Sequence, residues 1–315
     1  MSFSYDVKTE LCRSALNDGA NKQVCLFGML LFLRRFSLDC ISYTTEHEEI
    51  ANLFLSLISE VINADIPIKI SSAAKKDNTV TFTFSIDDTP SIMRIIEYYK
   101  NATNTNLDTL DCDYLRQNDE TIGAFLKGIY LIGGSMMDPQ KEYHLEIMCP
   151  SKSLADGLER MLFSIGFKSK ITERKGNSVL YIKESEQIED FLTFIGATNA
   201  TIELMNIKVY KNIINKVNRI TNCELANINR TLDASKRQAV DIRYVLSHKA
   251  QADLSDELIE LAELRLENTD TSLKDLGKML SRPISKSGVN HRLEKISRIA
   301  AQLREKNNEE AYCDE

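Results

Sequence analysis

The stretch Leu26-Phe27-Gly28-Met29-Leu30-Leu31 recurs at a spacing of 100 residues as Leu126-Lys127-Gly128-Ile129-Tyr130-Leu131. Each copy is the apolar centre of a predicted helix and carries a glycine at its third position. Repetition at a fixed spacing is typical of a fold built from duplicated units. Because a helical glycine has no Cβ, it allows another backbone to approach closely. We therefore expect two related halves whose glycine-containing helices pack against each other.

The segments after these two helices follow the same order. A short strand comes first, then an amphipathic helix with apolar residues at i, i+3, i+4 and i+7, then a hairpin and a closing helix. They are predicted at 36–43, 48–61, 66–86 and 91–99, and again at 143–149, 154–165, 167–182 and 188–195. Each half is predicted to have the element order α-β-α-β-β-α, and the chain is long enough for one more short strand before the middle helix. Two unrelated α+β domains are the alternative, and the shared order favours duplication.

Composition indicates a globular cytoplasmic protein. Hydrophobic residues make up 43% and charged residues 27% of the 315 residues, which argues against intrinsic disorder. No apolar run reaches the roughly 18 residues that span a bilayer, and no signal peptide is visible. Seven cysteines without a CxxC pair are typical of reduced thiols, and the four histidines form no zinc motif. We predict no cofactor and no bound metal.

Charge is distributed unevenly along the chain. The net charge of −7 taken alone argues against a nucleic-acid partner. Residues 271–306, however, hold nine basic side chains against three acids, whereas 253–270 hold seven acids against one base. The C-terminal module therefore has a basic half with a net charge of +6 and an acidic half with a net charge of −6.

The same module is predicted to contain three helices, at 256–267, 272–280 and 286–304. Pro283 interrupts the chain between the last two, and Ser285 is a good N-cap for the last. Its apolar stripe lies at spacings of three and four residues and comprises Val289, Leu293, Ile296, Ala300 and Leu303. This order predicts a helix-turn-helix whose last helix enters the major groove.

The start of that last helix is where we expect contact with DNA. Asparagine pairs with adenine and arginine with guanine, and a helix N-terminus attracts phosphate. The predicted base contacts are Lys286, Ser287, Asn290, His291 and Arg292. The predicted phosphate contacts are Lys274, Lys278, Ser285, Lys295 and Arg298. The alternative is a three-helix module that binds protein and carries a solvated basic face.

The region 201–249 is polar and rich in asparagine and arginine, with nine basic residues against four acids. It is predicted to be helical. Three interpretations stay open: a solvated helix between two domains, a second surface that contacts phosphates, and a polar patch buried between domains.

The two N-terminal halves resemble the LAGLIDADG homing-endonuclease fold, whose repeats run α-β-β-α-β-β-α. In that family an acidic residue near the end of each glycine-containing helix binds a divalent metal for phosphodiester hydrolysis. With Gly28 and Gly128 aligned to the motif, the acidic positions fall on Leu33 and Gly133. Neutral groups there cannot hold magnesium. Asp39 and Asp138 lie farther on, in a predicted loop or strand, and are the alternative source of a carboxylate.

From about residue 3 to residue 304, the chain as a whole resembles the WhiA family of bacterial regulators. The resemblance rests on 126–135 with Asp138-Pro139, 143–147, 183–188, 217–227 and 285–293. It implies an α+β fold with a LAGLIDADG-like tandem pseudo-two-fold repeat (αββαββα twice) and an all-α helix-turn-helix domain. The expected divisions are a first repeat at 1–104, a second at 105–214, a helical linker at 215–252, the helix-turn-helix domain at 253–306 and a flexible acidic tail at 307–315.

The resemblance implies a sequence-specific DNA-binding protein that is not an enzyme and has no small-molecule substrate. In that family the roles are transcription regulation, cell division and chromosome segregation in Gram-positive bacteria. We expect double-stranded DNA as partner, a nucleoid-associated position in the cytoplasm and no membrane contact. RNA polymerase with its sigma factor is an alternative partner for the repeat domain. A structural adaptor in cell division and a residual metal-dependent endonuclease are the alternative functions.

Overall fold

The computed structural model describes residues 2–16, 18–62, 65–74, 80–103, 110, 118–248 and 254–313, without the side chains of 101–103 and 307–313. The chain divides into two compact units, Met1–Lys211 and Asn212–Glu315. We call them the N-terminal unit and the C-terminal unit and describe each by itself. Within the described ranges, no helix is long and apolar enough to cross a membrane.

The first half of the N-terminal unit begins with an additional helix and then follows the order αββαββα. Ser2 caps this first helix, because its hydroxyl accepts a hydrogen bond from the backbone N–H of Tyr5. The elements are α1 (Phe3–Arg13), α2 (Gly19–Leu31), β1 (Arg35–Phe36), β2 (Ile41–Thr45), α3 (Glu48–Ile62), β3 (Lys69–Ala74), β4 (Val80–Ile86) and α4 (Thr89–Thr103).

The second half repeats the order αββαββα, so the predicted fold class is confirmed. Its elements are α5 (Asp119–Gly133), β5 (Gly134–Met136), β6 (Leu145–Cys149), α6 (Lys152–Ser164), β7 (Lys170–Arg174), β8 (Asn177–Ile182) and α7 (Ser185–Phe194). A long helix, α8 (Thr198–Ser247), follows. Glu10 of α1 caps its first turn, accepting from the backbone N–H groups of Asn199 and Ala200 at 2.7 and 2.9 Å.

Some predicted strands were wrong in their bounds. The strand predicted at 36–43 is two strands, β1 and β2, because Ser37 forms a turn with Cys40 through backbone and side chain. The strand predicted from Ile66 begins at Lys69, after Pro67, which has no N–H for a sheet ladder. The β7–β8 turn lies at Lys175 and Gly176, both with positive φ, rather than at Gly176-Asn177.

Each half forms one four-stranded antiparallel sheet. The strand orders are β1-β2-β4-β3 and β5-β6-β8-β7, so the two sheets have the same topology. Alternate side chains of β6, namely Leu145, Ile147 and Cys149, are buried, as expected for a sheet with one face against the core. The helices α2 and α5 contribute the most deeply buried part of that core, including Leu26, Met29, Leu126 and Ile129.

The two repeated glycines lie at the contact between α2 and α5. A Cβ on Gly28 would overlap the carbonyl oxygen of Phe125, and a Cβ on Gly128 would overlap that of Cys25. Neither oxygen can move without displacing its own helix. The close packing of the two glycine-containing helices is therefore confirmed, and it explains why the motif occurs in both halves.

The C-terminal unit is built from the end of α8 and three further helices, α9 (Asp256–Glu267), α10 (Leu273–Met279) and α11 (Lys286–Cys313). Helix α11 continues beyond its predicted end at Arg304, into the segment where a flexible tail is predicted. No glycine or proline interrupts it after Gly288. The core of the unit consists of Ile242, Val245, Leu258, Leu261, Ala262, Leu276, Leu280, Val289, Leu293, Ile296, Ala300 and Leu303.

The end of α8 is part of this core, although its residues fall in the segment expected to be a linker. Arg265 of α9 is buried, and its Nε donates to Gln238 Oε1 of α8 at 3.1 Å. The hydroxyl of Ser235 donates to the carbonyl oxygen of Thr269 at 2.6 Å. In contrast, every residue from 212 to 231 is exposed.

Candidate nucleic-acid interface

The turn between α10 and α11 is fixed by backbone contacts. The N–H of Ile284 donates to the carbonyl oxygen of Gly277 at 3.0 Å. A Cβ on Gly277 would overlap the carbonyl oxygen of Ile284, so glycine is required for this approach. Glu260 of α9 accepts from the backbone N–H and the hydroxyl of Ser281 at 2.6 and 2.9 Å. Together these contacts hold the start of α11 at a defined position.

Helix α11 is oriented by its apolar stripe. All five predicted stripe residues are buried, with Val289 and Ala300 fully inaccessible. The hydroxyl of Ser285 accepts from the backbone N–H of Gly288 at 3.2 Å, which confirms the predicted N-cap. The face opposite the stripe is exposed and consists of Ser287, Asn290, His291, Glu294 and Arg298.

Four of the five residues predicted to contact bases are exposed on this first part of α11: Lys286, Ser287, Asn290 and His291. The Asn290 amide Nδ2 donates to Glu294 Oε1 at 2.8 Å, so the carboxylate holds this amide in one orientation. The arrangement places donors and acceptors together on one exposed face at the start of the helix. Their contact with bases stays a prediction.

Arg292 lies apart from that group. Its side chain is only 24% exposed and points towards α9, where Nη2 lies 2.7 Å from Glu257 Oε2. Residue spacing places it on the flank of the helix, between the buried stripe and the exposed face. Contact between Arg292 and a base therefore requires that the guanidinium leave Glu257.

The residues predicted to contact phosphates, Lys274, Lys278, Ser285, Lys295 and Arg298, are all exposed. They differ in their own partners. The Lys278 ammonium lies 2.6 Å from Asp275 Oδ1, and Ser285 is engaged as the N-cap. Lys274, Lys295 and Arg298 form no ion pair within the described part of the chain, so their charges are the least compensated of the set.

The sequence prediction missed Arg282. It lies exposed in the turn before Pro283 and has no ion pair among the described residues. Its position next to the start of α11 makes it a further candidate for phosphate contact. A basic residue in the turn of a helix-turn-helix could have indicated this role. Arg282 was included in the net charge of +6 but not among the predicted phosphate contacts.

The positions of the nuclease carboxylates in the LAGLIDADG-like repeats are occupied by two neutral residues, one buried in the core and one with no space for a side chain. Leu33 is 2% exposed and belongs to the core. A Cβ on Gly133 would lie 2.6 Å from the carbonyl oxygen of Met148. Asp39 and Asp138 are exposed in loops. In the ranges that the structure describes, no group of three or more histidine, cysteine, aspartate or glutamate side chains is placed to hold a metal ion.

Comparison with known proteins agrees with both units. The sequence model of the WhiA LAGLIDADG-like domain matches residues 122–214, and that of the WhiA C-terminal HTH domain matches 217–300. The chain is 38% identical to the "Probable cell division protein WhiA" of Alkaliphilus metalliredigens, over 97% of this chain and 99% of that protein. It is 35% identical to the protein of the same name from Clostridium acetobutylicum, over 96% and 99%.

A solved structure shares the fold. The crystal structure of full-length DUF199/WhiA from Thermatoga maritima matches with a TM-score of 0.58 and 24% sequence identity, covering 96% of this chain and 99% of that one. This likeness shows the fold, and the sequence relatives show the family. The two domain matches and the relatives over nearly the whole length lead to one conclusion: the chain belongs to the WhiA family.

Proposed function

We propose that this protein binds double-stranded DNA at specific sequences and acts in cell division and transcription regulation, without cleaving the DNA. The proposal rests on the exposed polar face at the start of α11. The opposite side of this helix is an apolar stripe that is buried in the core of the C-terminal unit and fixes the orientation of the helix. A helix fixed in this way can present its N-terminal side chains to base edges in the major groove. The role in cell division is supported by the names of the relatives. A part in chromosome segregation and a nucleoid-associated position belong to the same proposal.

Base reading is assigned to Lys286, Ser287, Asn290 and His291, with Arg292 contributing after release from Glu257. Asparagine offers a donor and an acceptor that match adenine N7 and N6, and arginine matches guanine O6 and N7. Because Glu294 orients the Asn290 amide, the carboxylate fixes which of these groups faces outward.

Anchoring on the DNA backbone is assigned to Lys274, Lys278, Ser285, Lys295 and Arg298, with Arg282 added from the structure. Uncompensated cations release counterions from DNA when they bind phosphates, which makes the affinity depend on salt. The acids on α9, such as Glu263 and Glu267, are exposed and would be repelled by the duplex. The charge distribution therefore favours one orientation of the C-terminal unit on DNA.

The absence of cleavage is proposed from the positions of Leu33 and Gly133. The first is a core residue, and the second has no space for a side chain. A carboxylate at position 33 would be buried in the apolar core, and a side chain at position 133 would overlap the carbonyl oxygen of Met148. The repeats would then act as a scaffold or as a contact surface for a partner.

The test is a selection from random duplex DNA in the presence of magnesium, followed by a denaturing gel of the same samples. We expect an enriched motif with intact strands. Cleaved strands would show that the repeats are catalytic. Absence of enrichment with intact strands would contradict sequence-specific binding by the protein alone.

A second candidate function is that of an adaptor in cell division whose DNA affinity is incidental, with RNA polymerase and its sigma factor as a possible class of partner. The observation in its favour is a row of exposed apolar side chains at spacings of four and three on the part of α8 that belongs to the C-terminal unit: Ile213, Val217 and Ile220. Salt dependence distinguishes the two functions. A protein that contacts about six phosphates shows a log–log slope near −5, whereas incidental affinity gives a much flatter response.

A further inference from the structure

The N-terminal unit contains a cavity of about 1110 Å³ near the ends of α2 and α5, with walls from α1 and from both sheets. This volume is slightly above the roughly 300–1,000 Å³ that is typical of small-molecule sites. Its wall includes Phe32 after α2, Gly133 at the end of α5, and Ser2, Ser4 and Lys8 of α1 and its cap. The cavity therefore lies near the position that the LAGLIDADG fold uses for its metal ions, but with a different lining.

Positive charge dominates that lining. Lys8, Arg34 and Arg35 contribute three cations, and Glu46 is the only acid among the lining residues. None of the three cations forms an ion pair within the described chain. Among the described residues, the hydrogen-bond contact of Arg34 Nη2 is with the thioether sulfur of Met148, at 2.6 Å. Leaving a partly buried ammonium without a counter-charge is costly, so a bound anion would stabilise this arrangement.

Lys8 is the cation most removed from solvent. Burial lowers the pKa of Lys8 to about 8, because the charged ammonium is poorly solvated at this position. A second feature is that two lining residues have polar atoms without a protein partner: His47 Nδ1 and Thr81 Oγ1 are buried and make no hydrogen bond to described residues. The serine hydroxyls and the N-terminal end of α1 add further donors and a favourable helix dipole for an anion.

Two cations on the sheet surface outside the cavity are paired with acids. Lys69 is the only cation of β3, and its ammonium lies 3.0 Å from Asp87. Arg174 of β7 lies 3.3 Å from Glu146. Lys168, Lys170 and Lys175 are exposed on or beside the second sheet and form no ion pair among the described residues, so unpaired cations also lie outside the cavity. The cavity differs in that Lys8, Arg34 and Arg35 line one concave place, which fits a compact anion.

We propose that this cavity binds a small molecule that carries a phosphate group, and that Lys8, Arg34 and Arg35 hold that phosphate. The ligand would occupy the place where the nuclease fold binds its metal ions and DNA. The proposal is independent of the helix-turn-helix. It gives the repeat domain a ligand-binding role, through which a metabolite could be sensed by a DNA-binding protein.

The test is calorimetric titration of the full-length protein with inorganic phosphate. Lys8→Met removes the buried charge, and Lys170→Met is the matched control, because Lys170 is an exposed lysine of the same unit outside the cavity lining. Loss of a charge-assisted hydrogen bond should weaken phosphate binding by about tenfold or more in Lys8→Met. Binding by Lys170→Met should match the parent protein.

Two further arms keep the test decisive. Circular dichroism shows whether Lys8→Met folds. If it does not, the double variant Arg34→Gln/Arg35→Gln is used instead, because both arginines are exposed and their replacement leaves the core unchanged. The double variant should weaken phosphate binding by about the same factor. A short duplex added to the phosphate-bound protein should leave phosphate bound. Equal binding by cavity and control variants, absence of phosphate binding, or displacement by the duplex would each overturn the assignment, the last in favour of DNA backbone phosphate.

Discussion

The guanidinium of Arg292 lies 2.7 Å from the carboxylate of Glu257 and connects the recognition helix α11 to the acidic helix α9. The arginine expected to read a guanine is thus paired with an acid of its own unit. Both side chains reach solvent, so the pair is worth little energy by itself. On the proposed function, DNA would therefore draw the guanidinium away from Glu257 at small cost, while the turn and the buried stripe keep α11 in place.

The first prediction concerns Arg292 itself. Replacement by alanine should cost about 1–3 kcal/mol of binding free energy on the selected sequence and relax the preference at one base pair, because one bidentate contact is lost. Fluorescence anisotropy on the selected duplex and on its single-base variants measures both. Glu257→Gln is the control, because it removes the ion pair with Glu257 but leaves the Arg292 side chain in the protein. Equal loss on every duplex would show that Arg292 contacts only phosphate, and no loss would leave it a purely structural residue.

The second prediction compares two lysines of the proposed phosphate contacts. Lys295→Ala should weaken binding to all duplexes alike and reduce the salt slope by about one, because this exposed ammonium has no ion pair in the described chain. Lys278→Ala should have a smaller effect, because Asp275 already neutralises that charge at 2.6 Å. Titrations at several salt concentrations provide both slopes. A larger effect at Lys278 than at Lys295 would reverse the proposed order.

The third prediction concerns the contact between α2 and α5. Gly28→Ala and Gly128→Ala should each destabilise the N-terminal unit by about 1–3 kcal/mol, because the new methyl group meets a helix carbonyl oxygen. Gly19→Ala is the matched control: the same methyl group meets no atom at the start of α2, and stability should be unchanged or slightly increased. Denaturant unfolding followed by circular dichroism measures the difference. Equal effects at Gly19 and Gly28 would contradict the packing argument.

Much of this fold could be predicted because its signals are local or repeated. The Leu-x-Gly helices, the apolar stripe of α11 and the Ser285 cap are encoded within a few residues, and each is present in the structure. The short strands β1 and β5 were not placed, since two or three residues carry too little periodicity to be recognised.

Features that depend on distant residues could not be predicted in the same way. The pair between Arg292 and Glu257 joins two helices, and spacing on α11 alone does not reveal what lies beside its flank. The cavity brings Lys8 together with Arg34 and residues of both sheets, which only the tertiary fold makes neighbours.

The last prediction is a pH dependence of anion binding in the cavity, measured with sulfate, whose charge does not change over the range used. Burial lowers the pKa of Lys8 to about 8, so the ammonium is charged below that pH and increasingly neutral above it. Burial raises the pKa of Tyr43, Cys12 and Cys149 to about 12, above this window. Burial also lowers the pKa of His47, which therefore stays neutral.

Because only the charged form of Lys8 attracts the anion, sulfate affinity should be highest below about pH 8 and fall by about tenfold near pH 9. The remaining charged groups of the lining, Glu46, Arg34 and Arg35, are the same in the parent protein and in Lys8→Met, so the comparison isolates the effect of Lys8. In Lys8→Met the affinity should be low and nearly independent of pH. A flat profile in the parent protein, or the same slope in Lys8→Met, would show that Lys8 does not hold the anion.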